Sequence, residues 1–184
     1  ANSSNLELLD IEQIELVRGA HSALFGRNTL GGVVNVTSRR PSLTSREGRV
    51  LLPFGSNGER GLSLSVGAPL VDGRVGGSLA LAYNRRDGFT TNQVTGQQFD
   101  DRSMFALKGQ LYYQQQTGPW RAHVIVAEER DRDGDYTLGD LAAISSTPFT
   151  VARDFEGRTE RDVTSLTAVV RRERSNPSRA GARG

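Results

Sequence analysis

Few residues of this chain are of a type that could do chemistry, and their spacing does not favour it. Histidine occurs twice, at His21 and His123, with no H-x-x-x-H pair or other ligand spacing. Glu129-Arg130-Asp131-Arg132-Asp133-Gly134 imitates the start of a calcium loop, and Asp140 falls at its twelfth position. The first ligand is Glu rather than Asp, the last is Asp rather than a bidentate Glu, and no flanking helices can be read. A solvated, charge-rich loop is the expectation there. No G-x-S-x-G elbow, phosphate-loop lysine or G-x-G-x-x-G after a strand is present. Carboxylates are plentiful but lie in loops or beside arginines, where nothing suggests an acid–base pair. No catalytic residue, no metal site and no cofactor are expected, and the chain does not read as an enzyme.

Composition limits what could position any site. The chain has 184 residues, no cysteine, 21 glycines and a formal charge of +2. Without cysteine there is no disulfide framework and no thiolate metal site. Apolar content of 36 %, with glycine added, is near the globular norm, so disorder is not indicated. No run approaches the ~18 apolar residues of a membrane helix, which leaves a β-barrel as the only way to span a bilayer. Positive charge is spread along the chain and does not argue for nucleic acid. The first residues, ANSSNLELLD, lack the charged and apolar regions of a signal peptide, so an exported protein would imply processing or truncation.

From Gly48 onward the sequence alternates. Val50, Leu52 and Phe54 open the pattern, followed by Leu62, Leu64 and Val66 against Ser63, Ser65 and Gly67. Val75, Leu79, Leu81 and Tyr83 alternate with Gly76, Ser78, Ala80, Ala82 and Asn84. Phe105, Leu107, Leu111 and Tyr113 alternate with Lys108, Gln110, Tyr112 and Gln114. Trp120, Ala122, Val124 and Val126 alternate with Arg121, His123, Ile125 and Ala127. Leu166, Ala168 and Val170 alternate with Ser165, Thr167, Val169 and Arg171. Six strands of period two are predicted, with one dry face and one wet face.

Two connections, Pro69–Gly73 and Thr117–Pro119, are tight turns. The segments 87–102 and 131–161 are long and polar. Short and long connections alternate as in a transmembrane barrel, with 55–60 as the short exception. Trp120, Tyr112, Tyr113, Tyr83 and Phe89 fall at strand ends, where interfacial rings settle. A soluble β-sandwich gives a similar alternation, and the strands alone leave sandwich and barrel even.

Upstream of these strands, residues 14–41 carry a long motif. Ile14-Glu15, Arg18-Gly19, Leu24-Phe25-Gly26-Arg27, Gly31-Gly32, Val33, Asn35 and the exit Arg39-Arg40-Pro41 follow one another over about 28 residues. The glycines Gly19, Gly26, Gly31 and Gly32 stand where short strands must reverse, which is a structural role rather than ligand contact. This stretch resembles the C-terminal end of the plug domain of TonB-dependent outer-membrane receptors, departing from it visibly only at Ala20, where many members carry proline.

The resemblance implies a mainly β fold: the end of an α/β plug domain over residues 1–41, then about six antiparallel strands of a truncated transmembrane β-barrel over 42–184. It implies a fragment of a receptor for active uptake of a scarce solute, such as a ferric siderophore, in the outer membrane of a Gram-negative cell. The implied partners are TonB, through a segment not seen here, outer-membrane lipid and the solute, without nucleic acid. Arginines at the plug–wall boundary of that family pair with acidic residues of the barrel, which makes Arg18 and Arg27 the candidate lock residues. The break is expected near a third periplasmic turn, substrate-binding residues are not identified, and a soluble β-sandwich binding or adhesin domain is the alternative.

Overall fold

The computed structural model describes residues 9–18, 32–135 and 147–173. Among the described residues, eleven strands follow in chain order. A hairpin joins β1 (Ile11–Arg18) to β2 (Gly32–Ser38), and β3 (Glu47–Leu51), β4 (Arg60–Val71) and β5 (Val75–Arg86) follow. Then come β6 (Thr90–Asn92), β7 (Gln98–Phe99), β8 (Arg102–Gln114), β9 (Trp120–Gly134), β10 (Thr150–Val151) and β11 (Arg158–Arg172).

The six strands of the main sheet run antiparallel in the order β11-β9-β8-β5-β4-β3. Sequence neighbours pair directly, because each connection returns the chain beside the strand it has just left. Asp72-Gly73-Arg74 closes the β4–β5 turn with Gly73 at φ 67°, and Arg74 N–H donates to the Val71 carbonyl at 2.9 Å. The short 55–60 connection is a compact corner, held by the Gly55 N–H to Glu59 carbonyl bond of 3.0 Å.

Register decides what each face carries. Leu64 opposes Leu81, which opposes Leu107, and Val66 opposes Leu79. With Leu62 and Leu111 these side chains share one face, while Ser63, Ser78, Lys108 and Gln110 share the other, as the alternation predicts. The exposures are inverted relative to a water-soluble sheet. Leu79 and Leu111 are each 52 % exposed, whereas Ala80, Ala82, Ala106, Lys108 and Gln110 are buried. Large apolar side chains therefore form the outer surface and small or polar ones the packed surface.

What meets the packed face is the base of the β1–β2 hairpin, through the residues just before β1 and those at and after the end of β2. Leu9, just before β1, is buried among Ala80, Ala82, Met104 and Ala106. The small side chains of Ala80 and Ala82 on β5 and of Ala106 on β8 leave the hollow that a leucine fills, an exchange of water for apolar contact of about 1.5–3 kcal/mol.

The sheet strands run longer than the apolar alternation. β9 continues to Gly134 and β11 begins at Arg158, so Glu129-Arg-Asp131-Arg-Asp133-Gly134 is strand rather than loop. Lateral ion pairs replace apolar contact as the reason to stay extended. Arg132 donates to both oxygens of Asp162 at 2.7 and 3.1 Å on the outer face. On the packed face, Arg161 bridges Glu129 and Asp131, and Arg102 approaches Asp133 at 3.7 Å.

Beyond that end of the sheet, the two long connections are tied together. β10 joins β6 in parallel and β7 completes a three-stranded sheet. Asn92, fully buried, is its centre. Its amide donates to the Arg153 carbonyl at 2.9 Å, and its side-chain oxygen accepts from the Arg153 and Val94 N–H groups. Asn92→Ala is expected to cost about 1–3 kcal/mol locally, because it removes the three hydrogen bonds of a fully buried side chain. Hydrogen exchange should quicken at Gln93 and Arg153 while the amides of β4, β5 and β8 keep their protection.

Candidate functional site: the hairpin–sheet seam

The chain's polar interactions of longest sequence range converge where the hairpin base meets β8. Lys108, the only lysine in the sequence, is 8 % exposed. Its ammonium donates to the Leu9 carbonyl at 2.9 Å and to Ser38 Oγ at 2.7 Å. Leu9 and Ser38 flank the two ends of the hairpin, since Ile11 pairs with Ser38 in the ladder. One β8 side chain thus grips both strands at their base.

Asp10 extends the contact. Its backbone is left-handed (φ 50°), its carbonyl accepts the Arg39 N–H at 3.0 Å, and its carboxylate lies 3.6 Å from Arg39 Nε. Gln110, two residues along β8 from Lys108, donates to Asp10 Oδ2 at 3.1 Å and to Ser78 Oγ at 3.2 Å. Its carbonyl oxygen meets His123 Nε2 at 3.1 Å. The His123 ring stands edge-on to Tyr112, with Arg40 over the face of Tyr112 at 5.8 Å. A continuous polar chain therefore links the hairpin base to β5, β8 and β9.

The exit from the hairpin is seated as closely. A Cβ on Gly76 would lie 2.5 Å from the Ser42 carbonyl oxygen and 3.1 Å from that of Pro41, so only glycine lets this backbone approach β5. One residue pair further, Gly73 N–H donates to the Leu43 carbonyl at 2.9 Å.

The seam is not filled throughout. A cavity of about 340 Å³ opens beside Lys108, lined by Leu9, Ile11, Val36, Ile125, Ala127 and Val163 among others. The hairpin also presents Ile14, Leu16, Val34 and Val36 as an exposed apolar stripe on one face.

Arg18 ends β1 opposite Gly32, with its side chain exposed. Gly32, at φ 132°, has no room for a Cβ, which would fall 2.6 Å from the Val17 carbonyl oxygen. Arg27, Gly19, Gly26, Gly31, His21 and Asp140 lie outside the described residues. Glu129, Asp131 and Asp133 face arginines, and among the described residues no three possible metal ligands converge. Sequence reasoning placed Lys108 and Gln110 on the wet face but missed their partners. The available signal was a lysine and a glutamine two residues apart on a face otherwise of small residues.

Comparison with known proteins finds several partial matches. The chain is 45 % identical over 62 residues to the ferrioxamine B receptor of Salmonella typhimurium, matching 34 % of this chain and 9 % of that one. It is 38 % identical over 103 residues to the vitamin B12 transporter BtuB of Photobacterium profundum, matching 55 % and 16 %. The fold superposes on the crystal structure of the ferric yersiniabactin uptake receptor FyuA from Yersinia pestis with a TM-score of 0.79. These likenesses support a TonB-dependent receptor.

The FyuA likeness, at 20 % identity, covers 90 % of this chain and 26 % of that one, and it shows the fold. A third relative, the pesticin receptor of Yersinia pestis, is 30 % identical over 89 residues, matching 48 % of this chain and 13 % of its own. No family model matches the chain. The chain spans under a sixth of each of these three curated relatives. All three are named as receptors or transporters, and the described residues form strands with an antiparallel main sheet, consistent with a barrel fragment.

Proposed function

We propose that residues 1–41 are the end of a plug and residues 42–184 the first wall strands of an outer-membrane receptor. The complete receptor captures a scarce solute at the cell surface and passes it inward when TonB shifts the plug. No bond in the solute is made or broken, so the receptor is not an enzyme. The observation that carries this reading is the inverted sheet: leucines and valines outward, alanine, lysine and glutamine against the hairpin. An outward apolar face suits hydrocarbon, and an inward polar face suits a plugged, wet lumen. A β-sandwich would bury the leucines instead.

The relatives' names point to the solute class: a ferrioxamine B receptor, a vitamin B12 transporter and a ferric yersiniabactin receptor. A metal-chelate small molecule such as a ferric siderophore is the substrate we assign. The test uses iron-starved cells that carry the complete receptor. Labelled ferric ferrioxamine B, ferric yersiniabactin and vitamin B12 are offered in turn, with TonB present or deleted. TonB-dependent accumulation of one of them is expected. No accumulation, with the protein recovered from the soluble fraction, would overturn the reading.

Arg18 and Arg27 remain the lock candidates on the plug side, since both fall within the motif. If Arg18 pairs with a wall carboxylate in the complete receptor, Arg18→Ala leaves that acid uncompensated at a cost of about 3 kcal/mol or more. Uptake should then fall further than surface binding when both are measured on the same cells. Equal loss of both, or of neither, would make Arg18 a surface residue.

A further inference from the structure

We propose that Lys108 is a positioning residue that pins the plug's terminal hairpin to the barrel wall, so that the lock's buried cation comes from the wall. This rests on the receptor reading above and goes beyond it, because that reading places the locking cations in the plug, at Arg18 and Arg27.

Three observations converge on Lys108. Every other basic side chain apart from the two histidines is arginine, yet the buried position at the seam carries lysine. Its two acceptors, the Leu9 carbonyl and Ser38 Oγ, belong to opposite ends of the hairpin. Both are compact single-atom acceptors, which suit an ammonium on a flexible stem better than a planar guanidinium. Asp10, on the same turn, adds a carboxylate whose oxygens are shared between Arg39 and Gln110. The seat is thus a cationic wall group meeting a plug turn rich in oxygen.

Position gives the contact its leverage. Leu9 is held from below by Ala80, Ala82, Met104 and Ala106, and the chain after Ser38 is held against Gly76 and Gly73. Lys108 joins these two footholds at the hairpin base. Without it, β2 loses its tie to β8 and the start of β1 keeps only the Gln110–Asp10 bond, while the wall keeps its own ladder through the Lys108 backbone. The effect should therefore be confined to the hairpin and to closure of the lumen.

The test uses the complete receptor in lipid bilayers and three variants: Lys108→Met, Ser38→Ala and the two combined. Lys108→Met should speed hydrogen exchange of the amides in 11–18 and 32–38 by about tenfold or more, about 1.4 kcal/mol by the usual conversion, with β4, β5, β8 and β9 unchanged. Ser38→Ala, which spares the wall, should give a smaller rise of the same pattern, and the double variant should be no worse than Lys108→Met. Cells carrying Lys108→Met should also admit a large hydrophilic antibiotic without any solute or TonB.

An unchanged hairpin in Lys108→Met, a rise shared equally by hairpin and wall, or additive effects in the double variant would each overturn the pin. Heat-modifiable electrophoretic mobility of the unaltered receptor reports the folded barrel separately. A folded barrel with an indifferent hairpin sinks only the pin, whereas no folded barrel sinks the receptor reading.

Discussion

Leu64→Arg is expected to cost about 2–4 kcal/mol and to remove the complete receptor from the outer membrane. Leu64 stands on the outer face between Val50 of β3 and Leu81 of β5, with Leu107 one strand beyond. All four point away from the hairpin, into what we assign as the hydrocarbon layer. A guanidinium there has no water and no acidic neighbour within its row until Glu128 on β9. The same substitution at Thr167 is the control. Thr167 lies on the hairpin-facing side of β11 and is exposed, so arginine there should change stability by only about 0.5 kcal/mol. Unfolding titrations in lipid, with surface abundance measured alongside, separate the two. Equal tolerance at both positions would mean that the outer face meets water.

Arg161→Met is expected to destabilise the wall by about 3–5 kcal/mol, the cost of leaving buried charge unpaired. Arg161 Nη2 donates to Glu129 Oε1 at 2.7 Å and also to Asp131 Oδ2. The Asp131 side chain is only 5 % exposed, and its Oδ1 already lacks a hydrogen-bond partner. Removing the arginine takes the ion-pair partner from the buried Asp131 carboxylate. Adding Asp131→Asn should recover part of the loss, because an amide tolerates that setting better than an unpaired charge. A coupling of about 0.5–3 kcal/mol between the two changes is the expected signature. Additive losses in denaturant titrations would mean that the cluster is solvated and contributes little.

Arg161 also shows where the sequence stops being informative. The six wall strands were legible because their middle rungs alternate apolar and small residues with period two. Their outer ends were not, since Glu128 to Asp133 and Arg158 to Asp162 carry the composition of a loop. What keeps them extended is pairing between strands, Arg132 with Asp162 and Arg161 with Asp131, which one strand alone cannot reveal. The small sheet of β6, β7 and β10 escaped for a related reason. Its strands have two or three residues, and its centre, Asn92, is a typical turn residue until Arg153 is seen bonded to it.

The seam was half legible. Period two assigned Lys108, Gln110 and His123 to the inner face correctly. Their partners are 99, 70 and 100 residues away in sequence for the bonds to Leu9, Ser38 and Asp10, beyond the reach of any local pattern. The motif around Arg18 and Gly32 identified the family without showing which side chain holds the hairpin down. Motif glycines record backbone demands, and Gly32 meets one of them at φ 132°. A side-chain grip from a distant strand leaves no such local trace.

The central claim is that one face of the main sheet meets lipid and the other meets the hairpin. The most direct measurement is nitroxide scanning of positions 105–113 on β8 in the complete receptor, reconstituted in bilayers. Each label is read for collision with oxygen, which concentrates in lipid, and with a water-soluble nickel chelate. The account predicts oxygen maxima at 105, 107, 109, 111 and 113, with 106, 108, 110 and 112 shielded from both reagents by the hairpin. Nickel-chelate maxima at 107 and 111, or no period of two, would contradict it.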